Sequence, residues 1–497
     1  MLSPTHTLRR LAQLTRPRIL LPQPSRRNIH STPFLTRKRQ DASPRGNVFQ
    51  PIPHGITQIE VSPPNTRLAN VTVGWDAQHL YLMDNPDVGS RSLNVAALRD
   101  SCACVACKDP ASGQKSFAST QIPLDIGIGG VRVVDGGIGV TFTNDIERFD
   151  ASHEMILPWE IVEVALGRKS RIETSIPTKA SVLRRTGVEY WDREVLAREV
   201  RKIDYNDYME GGEAFWTAVA DICRLGIVYI KNVPQDEESV IRITTRIANI
   251  RETFYGRTFD VKAKPNAENV AYTSGYLGLH QDLLYLQPSP NIQVLHCMEN
   301  SCAGGESLFS DGERVGRLLW PFANSSPIMS PLKDYPVPYQ YNKHGYHYYR
   351  QRTVLDDSHK FNGVYWSPPF QGKHEAAKQD FKSWIKPARI FEELINDESA
   401  IYKEKMEPGE CVLFDNLRVM HGRTAFDAAG GSRWLRGTYI AGEDFLSKAS
   451  KIPDGLAEKF RGDTVWTPGV ADERLQKSAW YKTVLQKVRA IDPSVEA

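Results

Sequence analysis

The sequence has no long hydrophobic run and few cysteines, and each shortage excludes a class of protein. Its apolar runs fall well short of the ~18 residues that cross a bilayer, so we expect no membrane span. Seven cysteines in 497 residues are too few for a disulfide-stapled secreted fold. The remaining composition, 41% hydrophobic and 24% charged, is typical of a globular protein with roughly two to four domains.

Acidic residues are missing from the first 40 positions, which hold nine Lys or Arg side chains. An arginine-rich stretch without acids or a secretory-type apolar core is typical of a mitochondrial transit peptide. We therefore expect residues 1–40 to direct the protein to the mitochondrial matrix; a basic tail without a targeting role is the alternative. The rest of the chain has 53 basic and 59 acidic residues, a balance that does not favour nucleic acid as a partner.

Short apolar stretches predict two folded parts. Alternation at Val71–Trp75, an apolar run at Val95–Leu98 and a turn at Asp135–Gly137 indicate strands in the first part. Strand signals with helical segments between them recur in the second part, which we predict to be mainly β with flanking helices. The predicted divisions are a small β-rich domain at 60–168, a linker at 169–188, a second domain at 189–450 and a partly helical C-terminal tail at 451–497.

Three thiols lie within six residues of the small domain, at Cys102, Cys104 and Cys107. Zinc prefers four tetrahedral nitrogen or sulfur ligands, and a tight loop can supply several thiolates. His153 is the best-placed histidine for the fourth position, and His79 is the second. Because four protein ligands leave no open position, we predict a structural zinc site. Three unligated thiols on a loop are the alternative.

Histidine and carboxylate residues of the second domain form another candidate metal site. His280 and Asp282 are two residues apart, a spacing that directs both side chains to one face of a strand. His421 follows 139 residues after Asp282, beside another predicted strand. Two imidazoles and one carboxylate on one face form the triad that binds Fe(II) and leaves positions open. A His-x-Asp pair alone is more often an unrelated surface pair, so the prediction depends on accompanying residues.

Two further residues add to this candidate iron site. Arg433, twelve residues after His421, can bind a carboxylate through two parallel hydrogen bonds, although by itself it is more simply a surface or salt-bridged arginine. Ser307, 27 residues after His280, can offer a hydroxyl to the same carboxylate. Together with the triad, these residues predict an Fe(II)/2-oxoglutarate dioxygenase. In that scheme 2-oxoglutarate chelates iron through its 2-oxo acid end and places its far carboxylate on Arg433.

These residues and the motif at Leu98–Cys107 resemble those of the γ-butyrobetaine dioxygenase and trimethyllysine dioxygenase family. The resemblance covers about residues 65–450. It implies a double-stranded β-helix catalytic domain after a small zinc-binding domain, dependence on Fe(II) and 2-oxoglutarate with ascorbate in support, and a homodimer. By position it implies zinc ligands at Cys102, Cys104, Cys107 and His153, iron ligands at His280, Asp282 and His421, and a 2-oxoglutarate anchor at Arg433.

Two segments, Phe254–Phe259 and Asn269–Gly275, are more similar to the butyrobetaine branch of this family. A trimethylammonium group has no N–H donor, so aromatic faces select it through cation–π attraction. By position the aromatic cage of the family falls on Tyr255, Phe259, Tyr272 and Tyr439. Asn269 matches an asparagine near the substrate carboxylate.

The sequence departs from the family pattern at three places. Phe259 stands where the family usually has Trp, Gln281 stands in place of Thr between two iron ligands, and Val364–Pro369 replaces an asparagine-containing strand. We expect a small-molecule betaine as substrate, with 2-oxoglutarate and O2, and hydroxylation of γ-butyrobetaine to L-carnitine as the reaction. Trimethyllysine or another quaternary or primary amine is the alternative substrate. A catalytically inactive metal-binding module is the alternative from another functional class.

Overall fold

The chain forms two compact units, Met1–Lys169 and Ser170–Ala497. The predicted transit peptide at 1–40 and the predicted substrate ligand Asn269 lie outside the residues that the structure describes. Within the described part, no helix is long and apolar enough to span a membrane. The structure, a computed structural model, describes residues 55–61, 71–83, 90–168, 178–262, 272–357, 361–374, 381–461 and 473–495.

The first unit contains seven strands and two α-helices within its described residues. They are β1 (Thr57–Val61), β2 (Val71–Trp75), β3 (His79–Met83), β4 (Arg91–Asn94), α1 (Val95–Asp100), β5 (Gly127–Val134), β6 (Gly137–Thr143), β7 (Glu154–Pro158) and α2 (Trp159–Ala165). Strands β1 to β4 form one antiparallel sheet and β5 to β7 another. The alternating apolar side chains predict a sheet with one buried face. They are fully buried in the structure: Val71, Val73, Leu80 and Leu82.

Helix α1 corrects the strand predicted at Val95–Leu98. The side chain of Asn94 accepts hydrogen bonds from the backbone N–H groups of Ala96 at 2.9 Å and Ala97 at 3.4 Å, and so caps the helix. The two alanines also favour the helical state over a strand. The helix ends directly before the cysteine loop and therefore fixes where that loop begins.

The second unit is built around two sheets. Its strands are β8 (Lys202–Asp204), β9 (Ile227–Lys231), β10 (Phe259–Lys262), β11 (Leu277–His280), β12 (Ile292–Asn300), β13 (Ser307–Asp311), β14 (Val337–Lys343), β15 (Tyr346–Arg352), β16 (Leu355–Asp357), β17 (Phe361–Val364), β18 (Tyr402–Glu404), β19 (Cys411–Asp415), β20 (Val419–Arg423) and β21 (Arg433–Ile440). One sheet has the order β10-β21-β12-β19-β9-β8 and the other β11-β20-β13-β18. Side chains from both sheets line a common cavity, which confirms the predicted double-stranded β-helix.

Helices surround these sheets and complete the core. They are α3 (Lys179–Thr186), α4 (Arg193–Glu199), α5 (Tyr205–Glu210), α6 (Gly212–Arg224), α7 (Ser239–Ile247), α8 (Gly312–Ser325), α9 (Pro331–Asp334), α10 (Phe381–Ile395), α11 (Gly442–Ala449), α12 (Asp454–Arg461), α13 (Glu473–Gln476) and α14 (Ala479–Ile491). Apolar residues of α6, α7, α8 and α10 pack in one core cluster with the inner strands β9 and β12. The same cluster includes Leu279 of β11 and Met420 of β20, so the core also packs against the strands next to the predicted iron ligands.

Helix α3 shows that part of the predicted linker at 169–188 belongs to the folded unit. Thr178 and Ser181 exchange side-chain-to-backbone hydrogen bonds of 3.0 and 3.1 Å, a capping box that starts the helix. Val182 and Leu183 are buried in the core of the second unit. The segment was predicted to be a linker because most of its residues are polar or basic, and two apolar residues are too few to indicate a packed helix. The predicted C-terminal tail likewise contains α12 to α14, which contribute buried residues to the same core.

Candidate active site and metal centres

The three predicted iron ligands meet at the smaller sheet: His280 and His421 lie on its neighbouring strands, and Asp282 lies in the bend that directly follows β11, not on the strand that its spacing from His280 predicted. His280 is the last residue of β11, and the antiparallel register places it directly opposite His421 of β20. Oδ1 of Asp282 lies 3.4 Å from Nε2 of His280 and 3.9 Å from Nε2 of His421. One ligand atom from each residue lies within 4.8 Å of the other two. This convergence matches a facial triad of two imidazoles and one carboxylate.

Both imidazoles present Nε2 to this site. His280 Nδ1 lies 2.9 Å from the carbonyl oxygen of Gly278, and because a carbonyl only accepts, Nδ1 is the donor of this pair and Nε2 is the nitrogen that faces the site. Burial, followed by the neighbouring His280, lowers the pKa of His421 to about 3. The His421 ring is therefore neutral at physiological pH. Its Nδ1 has no hydrogen-bond partner among the described residues.

Asp282 is held in place by two residues outside the triad. Its backbone N–H donates to Oδ1 of Asn416, and Nδ2 of Asn416 donates to the Asp282 carbonyl. The hydroxyl of Tyr439 donates to Oδ2 of Asp282 at 2.7 Å. Burial alone would raise the pKa of Asp282, but the neighbouring His280 and His421 side chains and the hydroxyl of Tyr439 hold this pKa well below its ordinary value. The carboxylate is thus ionised and ready to bind a cation.

Gln281, the departure inside the His-x-Asp motif, points away from the metal ligands. Its side-chain oxygen accepts a hydrogen bond from the backbone N–H of Trp366 at 2.8 Å, and its own backbone N–H donates to the Trp366 carbonyl at 2.9 Å. Gln281 therefore fixes the segment that follows β17, part of the Val364–Pro369 replacement. The substitution leaves the geometry of the triad intact.

The triad opens into a cavity of about 700 Å³, counting the space at its mouth, between the two sheets. Ser307 and Arg423 are cross-strand neighbours that line it, and Arg433 lines it from β21. Arg433 is buried, makes no ion pair with any residue that the structure describes, and donates from Nε to the Gly305 carbonyl at 3.1 Å. Gly305 has φ +74° and a Cβ there would lie 3.0 Å from Arg433 Cδ, so glycine is required for this approach.

Aromatic rings cover another part of the same cavity. The ring centroids of Tyr255 and Phe259 are 6.1 Å apart, and Phe259 stacks on Tyr439 at 5.0 Å with an interplanar angle of 22°. Tyr272 is buried and also lines the cavity. The structure thus brings all four predicted cage residues to the cavity of the triad. It also gives Tyr439 a second contact, the hydrogen bond to Asp282, that the sequence did not predict.

The first unit contains the predicted thiol cluster. Sγ atoms of Cys102 and Cys104 each lie 3.6 Å from Nε2 of His153, and Sγ of Cys107 lies at 3.4 Å. These four residues form one group whose ligand atoms all lie within 4.8 Å of one another. The alternative fourth ligand, His79, instead has its Nδ1 3.7 Å from Oδ1 of Asp76. Three thiols and one imidazole are a donor set that suits zinc.

Two charged residues support this cluster from behind. Asp145 accepts hydrogen bonds from Nδ1 of His153 at 2.7 Å and from Nε of the fully buried Arg99. Nη1 of Arg99 also donates to Sγ of Cys107 at 3.3 Å. Burial would raise the pKa of Cys104, but hydrogen bonds from His153 and Cys102 lower it to about 7, toward the thiolate that a metal needs. A carboxylate behind a ligating histidine is the usual support of a zinc site.

The sequence reasoning missed four of these residues. Arg423 has a usable signal, because it lies two positions after His421 on one strand and must share its face. Arg99, Asp145 and Asn416 have none, because their partners are distant in sequence. Arg99 and Asp145 are 46 residues apart, and Asp282 and Asn416 are 134 apart.

Residues 189–439, half of the chain, match the family described as "Taurine catabolism dioxygenase TauD, TfdA family". The chain belongs to this family. Among the curated members, the dioxygenase str8 of Strobilurus tenacellus is 33% identical over 372 residues, which cover 71% of this chain and 84% of that protein. The prediction of a 2-oxoglutarate-dependent dioxygenase is therefore confirmed.

Two other relatives within the TauD, TfdA family carry names of known reactions. The γ-butyrobetaine dioxygenase of a Pseudomonas species is 25% identical over 355 residues, covering 71% of this chain and 88% of that protein. The trimethyllysine dioxygenase of Neurospora crassa is 25% identical over 403 residues, covering 71% of this chain and 78% of that protein. The predicted resemblance to γ-butyrobetaine dioxygenases and trimethyllysine dioxygenases is confirmed. Because both relatives are 25% identical to this chain, sequence identity does not distinguish between the two activities.

The residues of this TauD-family site fit both Fe(II) and 2-oxoglutarate, the metal and the cosubstrate of the family. Two imidazole nitrogens and an ionised carboxylate suit Fe(II), and all three residues line the cavity. A buried guanidinium without an ion pair is costly unless a ligand anion neutralises it, and Arg433 is such a group. The far carboxylate of 2-oxoglutarate satisfies that requirement, with Ser307 in the same cavity.

Proposed function

We propose that the protein hydroxylates a small molecule with a trimethylammonium head group, and that γ-butyrobetaine, converted to L-carnitine, is its substrate. The observation that carries this proposal is the contiguous row of rings formed by Tyr255, Phe259 and Tyr439 in the cavity of the triad. A permanent cation with no N–H gains ~0.5–2 kcal/mol from an aromatic face and cannot use hydrogen-bond acceptors in the same way. The rings therefore suit a methylated ammonium.

The cavity residues divide the work of this reaction. Arg433 and Ser307 would orient 2-oxoglutarate, and His280, Asp282 and His421 would hold Fe(II). When bound, iron activates O2 while 2-oxoglutarate is oxidatively decarboxylated to succinate and CO2. The rings position the head group of the substrate so that a C–H bond of its chain faces the metal. Apolar residues that line the cavity exclude water from the site: Val261, Leu277, Leu283, Leu295 and Leu435.

Relatives give further support to a methylated ammonium as substrate. Curated relatives are named for γ-butyrobetaine and for trimethyllysine, and both names denote trimethylammonium compounds. Among the two, the cage pattern at Tyr255, Phe259, Tyr272 and Tyr439 resembles the butyrobetaine branch more closely. Phe259 in place of Trp presents a weaker cation partner, so we expect a looser head-group site than an indole would give.

A substrate panel tests the proposal. Full-length protein with Fe(II), ascorbate and 2-oxoglutarate is given γ-butyrobetaine, trimethyllysine or the neutral analogue of γ-butyrobetaine in which carbon replaces nitrogen. We expect γ-butyrobetaine to yield succinate and a product heavier by one oxygen atom, and the neutral analogue to have a kcat/KM at least about 10-fold lower. Arg132→Met, which changes an exposed side chain in the other unit, is the control variant: it should show the same preference among the three compounds as the wild type.

Three results would contradict the proposal in different ways. A higher kcat/KM for trimethyllysine than for γ-butyrobetaine would make trimethyllysine the substrate. Equal kcat/KM for the cation and its neutral analogue removes the cation-binding role of the rings. Iron and 2-oxoglutarate binding without turnover of any ammonium compound supports the metal-binding module instead.

We also propose a structural zinc ion at Cys102, Cys104, Cys107 and His153, a homodimer, support by ascorbate, and residence in the mitochondrial matrix. The zinc proposal is supported by the 3.4–3.6 Å sulfur–nitrogen distances. The location is supported by the basic, acid-free residues 1–40. Metal analysis of purified protein, sedimentation, ascorbate titration and imaging of a fusion with and without residues 1–40 test the four proposals separately.

A further inference from the structure

We infer that Tyr439 is a positioning residue for the iron ligand Asp282, in addition to presenting its ring to the substrate cavity. Its hydroxyl occupies Oδ2 of the carboxylate and leaves Oδ1 alone for the metal. The inference rests on the iron and 2-oxoglutarate chemistry of the family, and it does not depend on which ammonium compound is the substrate.

The two oxygens of Asp282 have different surroundings. Oδ1 lies 3.4 Å from Nε2 of His280 and 3.9 Å from Nε2 of His421, so it faces the point where the triad converges. Oδ2 accepts the hydrogen bond of the Tyr439 hydroxyl at 2.7 Å. A hydrogen bond from a neutral donor to a carboxylate is among the stronger ones in proteins, because the acceptor is charged. The carboxylate is thereby oriented with one oxygen inward.

This orientation matters for the number of open positions on iron. A facial triad that contributes one atom per residue leaves three of six positions open. 2-Oxoglutarate takes two of them and O2 needs the third. A carboxylate free to rotate would present Oδ1 to the metal less firmly and could turn Oδ2 toward the third position, so the hydrogen bond from Tyr439 would both strengthen the site and keep a place for O2.

Tyr439 is itself held rigidly enough to do this. It is the next-to-last residue of β21, opposite Gln293 of β12 in the antiparallel register. Its side chain is 3% exposed, and its ring stacks on Phe259 at 5.0 Å. Backbone pairing and ring stacking therefore fix the direction of the hydroxyl before any metal binds.

Tyr439→Phe separates the two roles of this residue, because it keeps the ring for the cation and removes only the hydroxyl. Anaerobic titration of metal-free protein with Fe(II), followed through the visible charge-transfer band of the 2-oxoglutarate complex, measures the metal site without turnover. We expect the dissociation constant of Fe(II) to rise about 10- to 100-fold and the band to shift. The KM for γ-butyrobetaine is expected to change less than about 3-fold.

Tyr402→Phe is the matched control. Tyr402 also donates its hydroxyl to a carboxylate, Oε2 of Glu404, at 2.6 Å, but it lies on strand β18 and does not line the cavity. We expect it to leave iron affinity and the band unchanged. If Tyr439→Phe fails to fold, 3,5-difluorotyrosine can replace Tyr439. It nearly keeps the shape of the side chain and makes the phenol a stronger hydrogen-bond donor. The charge-transfer band should then shift in the direction opposite to the shift that a weaker hydrogen bond causes.

Unchanged iron affinity and an unchanged band in folded Tyr439→Phe overturn the inference, as does an equal loss in Tyr402→Phe. A rise in the KM for γ-butyrobetaine with no change at the metal would reduce Tyr439 to a cage residue only. The proposed substrate fails by a separate result, the absence of wild-type turnover of γ-butyrobetaine, and the iron titration is independent of it.

Discussion

Asp282 and Asn416 are joined by two hydrogen bonds that run in opposite directions. The Asp282 N–H donates to Asn416 Oδ1 at 2.8 Å, and Asn416 Nδ2 donates to the Asp282 carbonyl at 3.0 Å. Asn416 Nδ2 also donates to the Pro290 carbonyl at 3.0 Å. One fully buried amide thus holds the backbone of a predicted iron ligand from the turn between β19 and β20.

Asn416→Ala is expected to destabilise the second unit and loosen the triad. The change leaves one N–H and two carbonyl oxygens buried without their partner, and such groups cost about 1–3 kcal/mol each. We expect the free energy of unfolding in urea to fall by about 3 kcal/mol. Asn396→Ala, which removes an exposed amide that donates to the Glu392 carbonyl, serves as control and should change the free energy of unfolding by less than about 0.5 kcal/mol. A similar loss in both variants would contradict the assigned role.

Arg433→Met is expected to weaken 2-oxoglutarate binding about 100-fold or more, because an isolated buried guanidinium is the charge that its far carboxylate meets. The KM for 2-oxoglutarate and calorimetric binding to the metal-loaded protein measure the loss. Arg433→Lys keeps the charge but lacks the planar guanidinium, so its affinity for 2-oxoglutarate should lie between those of the wild type and Arg433→Met. Arg436→Met is the control on the same strand, since Arg436 pairs with Asp260 at the surface. An unchanged KM in Arg433→Met would remove Arg433 as the anchor.

Asp145→Asn is expected to weaken zinc binding about 10- to 100-fold, since it removes the carboxylate that fixes the tautomer of His153. Competition with a zinc chelator measures the affinity. Arg99→Met tests the same network from the cation side, because Arg99 contacts both Asp145 and Cys107. The control is Arg132→Met, whose ion pair with Glu154 in the same unit is exposed on the arginine side. A zinc affinity equal to that of the wild type in both buried variants would contradict this prediction.

Gly437→Ala is expected to weaken the ring row without touching a ligand. A Cβ at Gly437 would lie 2.5 Å from Cζ of Phe259, so the ring must move away from Tyr439. We expect the KM for γ-butyrobetaine to rise about 3- to 10-fold with little change in the KM for 2-oxoglutarate. Gly363→Ala, where an added methyl meets nothing within 4 Å, is the control. Equal effects on both KM values would point to general damage instead of a lost cation site.

The candidate site was more predictable than the secondary structure around it. His280 and Asp282 are close in sequence, so their convergence was predictable from a strand spacing, although β11 ends at His280 and Asn416 holds Asp282 just beyond the strand. The helix at Val95–Asp100 was missed because a side-chain cap at Asn94 outweighs an apolar run that suits either structure. Helix α3 was missed because only two of its residues reach the core.

By itself, the amino-acid sequence determined which residue types could carry the proposed chemistry: two imidazoles and a carboxylate for iron, a guanidinium for a dicarboxylate, and three thiols with an imidazole for zinc. Ligand chemistry belongs to the side chain, so it can be read without coordinates. Only the tertiary structure decided which groups orient those ligands. Tyr439 and Asn416 reach Asp282, and Asp145 reaches His153, through the pairing of strands or loops that the local sequence does not specify.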